Sequence, residues 1–282
     1  MQRTVLLIVI GVLGVVGIIY YAFHGTAPNF DLPNAQALKI VQKWELPDAL
    51  EEISGIAWIS GNKILCVQDE DGILFIYDLA SSKIERKIDF EENGDFEGVA
   101  LIGKKAYVLE SNGTIFEIED IYKEDPKTYK YKYELKENYN FEGLCYDRNN
   151  NQLLLAVKDK AGKNKKPVFA FDLSIKAINE KPVFRIDYED AVFNKLDQKK
   201  NNSRMNPSEI GINPVTEDIY ILEGKNPKLL ILNATGKAKE LYVLKEGQFP
   251  QAEGLTFSKD GKLYISNEGQ GGAPNILQVT LD

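Results

Sequence analysis

The chain has 282 residues, of which 42 are acidic and 34 are basic, and its formal net charge is −8. Binding to nucleic-acid phosphates needs a clustered positive field, so we expect no nucleic-acid partner. The single histidine, His24, lies near the amino end and outside the repeats described below, which excludes catalysis through a Ser-His-Asp or Cys-His arrangement.

An uncharged segment, Thr4–Phe23, follows Arg3. A helix of about 20 apolar residues is as long as the bilayer hydrocarbon is thick. The run is longer than the apolar region of a cleaved signal peptide and no Ala-x-Ala follows it, which favours an uncleaved anchor. Arg3 and the amino terminus predict a cytoplasmic amino end. We therefore predict a transmembrane helix over 1–23, a linker over 24–36 and one globular domain over 37–282, on the periplasmic or extracellular side of the cytoplasmic membrane.

The predicted globular domain is organised around one short stretch that recurs five times. The intervals between copies are in the forties, except for a longer one between the third and fourth copies. A self-similar period of this length is typical of a propeller blade or a helical repeat. The copies are Ile53-Ser-Gly-Ile-Ala57, Phe96-Glu-Gly-Val99, Phe141-Glu-Gly-Leu-Cys145, Pro207-Ser-Glu-Ile-Gly211 and Ala252-Glu-Gly-Leu-Thr256.

Segments with strand character surround each copy. Two apolar runs follow it, such as Lys63–Asp69 and Ile73–Asp78, and turn residues separate them. A further strand precedes each later copy, such as Pro182–Tyr188 before the fourth. We therefore predict an all-β fold, a five-bladed β-propeller with four strands in each blade. The last repeat ends after three strands, so we expect the N-terminal strand Leu38–Leu46 to complete the last blade and close the ring.

Acidic side chains recur at the repeated stretch. In a propeller the first strand of each blade lines the central channel, which points Glu97, Glu142 and Glu253 inward, with Ser54 and Ser208 at the matching positions. Carboxylates around a narrow opening repel one another. Raised pKa values, hydrogen bonds to the ionised form or a bound cation must reduce this repulsion. A set of oxygen ligands suits Ca²⁺ before Mg²⁺. The alternative is that each Glu only caps backbone N–H groups of the neighbouring blade.

The five copies together resemble the SdiA-regulated protein family, and the resemblance extends over roughly residues 37–282. It implies a membrane-anchored bacterial five-bladed propeller with a bound calcium ion, distantly similar to NHL-repeat propellers, which often mediate protein contacts. It also implies a role in the cell envelope without an established reaction. By position in the motif, the resemblance suggests Glu97, Glu142, Glu209 and Glu253 as metal ligands. The fourth copy departs from the Glu-Gly form, since Glu209 is displaced by one residue.

We expect a membrane-tethered, calcium-binding platform whose partners are the metal ion, the membrane and a protein on one propeller face. The alternative is a metal-dependent hydrolase of phosphate esters, esters or lactones, because calcium-dependent phytases and esterase-like propellers also carry Glu-Gly in the inner strand. Phosphate chemistry needs a basic side chain beside the metal. Only Lys158, or Arg204 if its loop folds inward, is placed to serve, which favours the binding platform over the enzyme.

Overall fold

The computed structural model describes residues 38–133, 135, 137–158, 164–196, 204–270 and 272–281. The predicted transmembrane helix, 1–23, and linker, 24–36, lie outside these residues. Within them, no helix has the length and apolar character needed to cross a membrane.

The described strands form five antiparallel sheets, which are the blades of a propeller, and each repeated stretch begins or overlaps the first strand of one blade. A 3-10 helix, Asp48–Leu50, joins β1 to β2. The chain begins its described part with β1 Leu38–Glu45. Blade I consists of β2 Ile53–Ser60, β3 Lys63–Gln68, β4 Ile73–Asp78 and β5 Lys83–Asp89. Blade II consists of β6 Phe96–Ile102, β7 Lys105–Glu110, β8 Ile115–Ile118 and β9 Thr128–Tyr131. The remaining strands are, in blade III, β10 Phe141–Asp147, β11 Gln152–Val157, β12 Lys165–Asp172, β13 Ala177–Ile178 and β14 Phe184–Asp187; in blade IV β15 Glu209–Ile212, β16 Ile219–Glu223, β17 Lys228–Leu232 and β18 Ala238–Val243; and in blade V β19 Ala252–Phe257, β20 Leu263–Asn267 and β21 Asn275–Leu281.

The N-terminal strand closes the ring, as predicted. Strand β1 pairs antiparallel with β21, so blade V has the order β1-β21-β20-β19. The pairing runs from Leu38 opposite Leu281 to Glu45 opposite Asn275. Because the two ends of the described domain share one sheet, blade V gains its outermost strand and the last blade is held beside the first.

Blade III differs from the predicted four-stranded form. Its outer edge is divided between two short strands that both pair with β12, as Phe171 lies opposite Ile178 and Val168 lies opposite Phe184. The sequence predicted a single strand from Pro182 to Tyr188. Pro182 has no N–H group to donate to the ladder, and the chain leaves the sheet there before it returns as β14.

The core consists of five apolar clusters, one between each pair of neighbouring blades. Successive side chains of a strand point to opposite faces of the sheet. In β3, Leu65 and Val67 pack towards blade II, whereas Ile64 and Cys66 pack towards blade V. Both faces of each blade are therefore buried, which explains why the middle strands read as continuous apolar runs instead of alternating with polar residues.

The inner strands approach one another closely at the glycines of the repeat. A Cβ atom added to Gly55 would lie 2.7 Å from the backbone nitrogen of Val99, and one added to Gly98 would lie 2.8 Å from the Cβ of Leu144. A Cβ on Gly254 would lie 2.8 Å from the carbonyl oxygen of Ser54. Glycine is thus required where each of these blades meets the next.

Substitution at this contact should destabilise the ring. A Cβ on Gly143 would lie 2.6 Å from the backbone nitrogen of Ile210, so Gly143→Ala forces two backbones apart. We expect it to lower the free energy of unfolding by about 1–3 kcal/mol, measured by urea denaturation. Gly247 is the matched control, because its added Cβ would meet nothing within 4 Å. An equal effect of Gly247→Ala and Gly143→Ala would contradict the steric explanation.

Candidate functional site

Acidic side chains gather at the face of the ring where the inner strands β2, β6, β10, β15 and β19 begin, which we call the acidic face. Glu142 and Glu253 occupy the second positions of β10 and β19 and are only 3% and 7% exposed. Glu97 holds the same place in β6 and is half-buried. Ser54 and Ser208, at the matching positions, are buried as well. The five side chains thus stand at the second position of an inner strand or at the position that matches it.

Glu142 has its own counter-cation. Lys158 donates from Nζ to Oε2 of Glu142 at 2.9 Å, and Asn140 donates from Nδ2 to Oε1 at 2.8 Å. Burial opposes the charge of Lys158, but the attraction of Glu142 and Glu253 outweighs it and raises the pKa of Lys158. For Glu142 burial outweighs the attraction of Lys158, so its pKa is raised. Lys158 is therefore a fixed positive charge at the acidic face.

Glu209 joins blade III to blade IV. Its Oε1 accepts hydrogen bonds from the backbone N–H of Leu144 at 2.7 Å and of Ile210 at 2.9 Å. The side chain is fully buried, and among the described residues no partner reaches its Oε2. Burial raises the pKa of Glu209 well above its ordinary value. This geometry is the backbone capping that was the alternative to metal binding.

Two further carboxyls lie near Lys158 without touching it. Burial raises the pKa of Glu253 to about 8, against the opposing attraction of Lys158. Burial and the charge of Asp69 raise the pKa of Glu268 to about 7. Ser208, at the matching position of blade IV, donates from Oγ to the carbonyl oxygen of Ala252 at 2.7 Å. Both carboxyls are thus groups that change charge near neutral pH.

Glu97 belongs to a compact group of three carboxylates. One oxygen each of Asp69, Asp95 and Glu97 lies within 4.8 Å of the other two. Burial, followed by hydrogen bonding to Asp95, raises the pKa of Asp69 to about 6. Burial and the neighbouring charge of Glu142 raise the pKa of Glu97 well above its ordinary value. At neutral pH Glu97 therefore holds a proton, which a cation would displace.

The sequence analysis did not identify Asp95. The sequence does contain a pattern that includes Asp95. In the last four copies, the residue directly before the repeated stretch has a side-chain oxygen. These residues are Asp95, Asn140, Asn206 and Gln251. Asp95 also accepts a short hydrogen bond from the hydroxyl of Ser111, which orients its carboxylate.

Glu223, the last residue of β16 in blade IV, has a structural role. Lys228 donates to its Oε2 at 2.8 Å, and the backbone N–H of Asn206 donates to the same oxygen at 2.9 Å. Both members of this ion pair are only 1% exposed. Their carboxylate and ammonium groups neutralise each other within blade IV.

The group formed by Asp69, Asp95 and Glu97 suits a hard cation. Calcium binds oxygen ligands at about 2.3–2.6 Å, so two ligands on opposite sides of the ion lie about 5 Å apart. The three oxygens lie within 4.8 Å of one another, so their separations do not exceed this span. Carboxylates without sulfur or imidazole are the donors that Ca²⁺ or Mg²⁺ takes, and calcium completes its 6–8 positions with carbonyls and water. The residues present therefore fit a calcium ion.

Comparisons with known proteins give a family and a fold. The family model described as SdiA-regulated matches residues 32–276. No curated protein sequence matches the chain. The chain is similar to a glutaminyl cyclase from Myxococcus xanthus, at 16% identity and a TM-score of 0.61 over 87% of this chain and 97% of that one. It is also similar to the PQQ-bound aldose sugar dehydrogenase from Streptomyces coelicolor, at 13% identity and a TM-score of 0.57 over 88% and 99% of the two chains. At these identities the likeness shows the fold alone.

The raised carboxyl pKa values predict a pH dependence of stability. Asp69, Glu268 and Glu253 have folded-state pKa values of about 6, 7 and 8, above the ordinary value of an unfolded carboxyl. Between the ordinary carboxyl pKa and these raised values, the folded state binds more protons than the unfolded state. The free energy of unfolding therefore falls as pH rises through this range. We expect the thermal unfolding midpoint of the chelated protein to fall from about pH 5 to about pH 8.5. Glu253→Gln should flatten the upper part of the curve, and a midpoint that rises with pH would contradict the assignment.

Proposed function

The chain belongs to the SdiA-regulated family, as its repeated stretch predicted, and we propose that it is a calcium-binding propeller that serves as a binding platform tethered to the outer side of the cytoplasmic membrane. The proposal rests above all on the three carboxylate oxygens of Asp69, Asp95 and Glu97, which lie within 4.8 Å of one another. A platform needs a rigid ring and a charged face, and both follow from the inner strands.

The distribution of positive charge supports a cation at this group. Lys158 pairs with Glu142, and its Nζ lies 2.9 Å from Oε2 of that side chain. Asp69 and Glu97 instead have pKa values raised by burial and by neighbouring carboxylates. A divalent ion relieves this repulsion directly, because it neutralises two charges in one place.

We propose that the metal is centred on Glu97, with Asp69 and Asp95 as further ligands. Glu142 lies near Glu97 and extends the ligand set. Glu209 and Glu253 are the remaining metal ligands that the family resemblance suggests. Oε1 of Glu209 accepts hydrogen bonds from two backbone N–H groups, and among the described residues Oε2 has no hydrogen-bond partner.

Isothermal titration calorimetry with Ca²⁺ tests the metal site, on the full-length chain in detergent after a chelator has removed bound metal. We expect one site with a dissociation constant of about 0.1–1 mM, the range of extracellular modules, and proton release on binding. Asp69→Asn combined with Glu97→Gln should weaken binding at least about tenfold, because two charged ligands are lost. The single changes Glu142→Gln, Glu209→Gln and Glu253→Gln are measured in the same way to define the remaining ligands.

The matched control for this titration is Asp218→Asn. Asp218 pairs with Lys239 at 2.6 Å and follows the first strand of blade IV, so it lies away from the acidic face. Its removal should leave the calorimetric heat unchanged. Absence of heat in the native protein would refute the calcium site. Unchanged heat in the Asp69→Asn, Glu97→Gln double variant would show that the ion binds away from Glu97.

Membrane tethering rests on the sequence of Thr4–Phe23, which has no charged residue. We expect the full-length chain to remain with the membrane pellet after an alkaline wash. Leu13→Lys with Val16→Lys should release it, since each central lysine costs about 2.5–3.5 kcal/mol in a membrane helix. His24→Lys, placed outside the uncharged segment, is the control and should stay in the pellet. Release of the native chain by the wash would rule out a spanning anchor.

Binding is favoured over hydrolysis by the position of the basic side chains. A hydrolase acting on phosphate esters needs a cation beside the metal to hold the phosphate. The sequence offered Lys158 for this purpose, or Arg204 if its loop folds inward. The ammonium group of Lys158 is engaged by Glu142, and Arg204 is exposed. The geometry therefore supports a platform better than a phosphate-ester hydrolase.

A further inference from the structure

A second concave site lies between blades III and IV, on the face opposite the acidic face. Its cavity has a volume of about 360 Å³, and we call it the III–IV cleft. Pockets of about 300–1,000 Å³ are the size that small-molecule ligands occupy. The turn from β10 to β11 forms one side, and the turn from β15 to β16 forms the other.

Blade III contributes an ordered set of polar side chains. Asp147 is 8% exposed, and its Oδ2 accepts hydrogen bonds from Nδ2 of Asn150 at 2.7 Å and from Nε2 of Gln152 at 2.9 Å. An amide group has two N–H donors and a carbonyl acceptor, and each of these amides uses one donor on Asp147. The carboxylate thus holds two amides in fixed positions at the cleft, and no other described side chain binds their remaining donors and acceptors.

Blade IV contributes Glu217, which reaches across the cleft. Its Oε1 accepts a hydrogen bond from Nδ2 of Asn149 at 3.2 Å, which links the two blades. The backbone of Glu217 has φ of 61°, a conformation that glycine or asparagine adopts more easily. A residue held in this region at a cleft is a candidate for a functional role, because a glycine there would satisfy the turn without strain.

The cleft also has an apolar side. Leu154 and Ile219 line it from the second strands of the two blades, and Val183 and Phe184 line it from the outer part of blade III. Val183 is 42% exposed. Phe184 is held in place by Gly236, where an added Cβ would lie 2.5 Å from the ring. One side of a ligand therefore meets hydrocarbon while the other meets amides and carboxylates.

The charges of the lining define the ligand. Asp147 and Glu217 are acidic, and the described residues that line the cleft include no lysine or arginine. Two acidic side chains at the cleft oppose the binding of an anionic ligand. The corresponding junction of blades II and III shows the contrast, because Glu117 there accepts from Lys105 and Lys176, each at 2.6 Å. Cationic side chains fill that junction, whereas the III–IV cleft stays open.

We propose that the III–IV cleft binds a neutral sugar or a similar polyol. Neighbouring hydroxyl groups donate to carboxylates and accept from amides, and the C–H face of a sugar ring packs on an apolar surface. The cleft provides these three kinds of contact together. It is independent of the proposed calcium site, since the two lie on opposite faces of the ring.

Saturation-transfer NMR on the full-length chain in a sugar-free detergent tests the proposal. The probes are glucose and N-acetylglucosamine as neutral sugars, glucuronate as an anionic sugar and spermidine as a polycation. We expect millimolar binding of at least one neutral sugar and weaker binding of the other two probes. Asn149→Ala and Glu217→Gly should each weaken it by about fivefold or more, the effect of losing one hydrogen bond.

Glu217→Gly separates binding from folding. Glycine takes a φ near 60° without strain, so the thermal unfolding midpoint should stay equal or rise while sugar binding falls. Asp260→Asn, in the corresponding turn of blade V, is the matched control and should bind like the native chain. The proposal fails if neither sugar transfers saturation, if spermidine binds more tightly than both sugars, or if the cleft variants bind normally.

Discussion

The structure depends on the close approach of the inner strands around the ring axis. At Gly55, Gly98 and Gly143 the backbone of the next blade occupies the place of a side chain. The residues beside these glycines must then project into the narrow channel, since the strand alternates and the neighbouring blade blocks the other direction. Steric crowding of the backbone is therefore the cause of electrostatic crowding of the carboxyls.

The blades relieve this electrostatic crowding in different ways. In blade III Glu142 has a lysine and an asparagine as partners. In blade IV Glu209 receives two backbone N–H groups. Glu97 has other carboxyls around it, and within the described part of the chain its group fits a cation. Positions that are equivalent in the repeat are thus inequivalent in charge, because each carboxyl meets a different set of partners.

The same distinction separates what the sequence predicted from what it did not. The five blades, the closing strand and the shared location of Glu97, Glu142 and Glu253 follow from the repeat and from two-sided burial, which are local patterns. The division of the outer edge of blade III depends on Pro182 and on where the chain re-enters the sheet. The capping by Glu209 depends on register between blades, which no single stretch of sequence encodes. Asp95 was missed because its role arises from its neighbours in space.

The two faces of the ring differ in how freely their chemistry can vary. On the acidic face the side chains stand beside glycines that cannot be replaced without moving a neighbouring backbone, so each change there alters packing and charge together. On the opposite face the junctions are built from turns, some of which place a non-glycine residue at positive φ, as at Lys176 and Glu217. Lys176 turns towards Glu117 and fills one junction, whereas Glu217 spans another and leaves it open. A propeller of this kind can therefore keep one ionic face constant while its turns set what the other face binds.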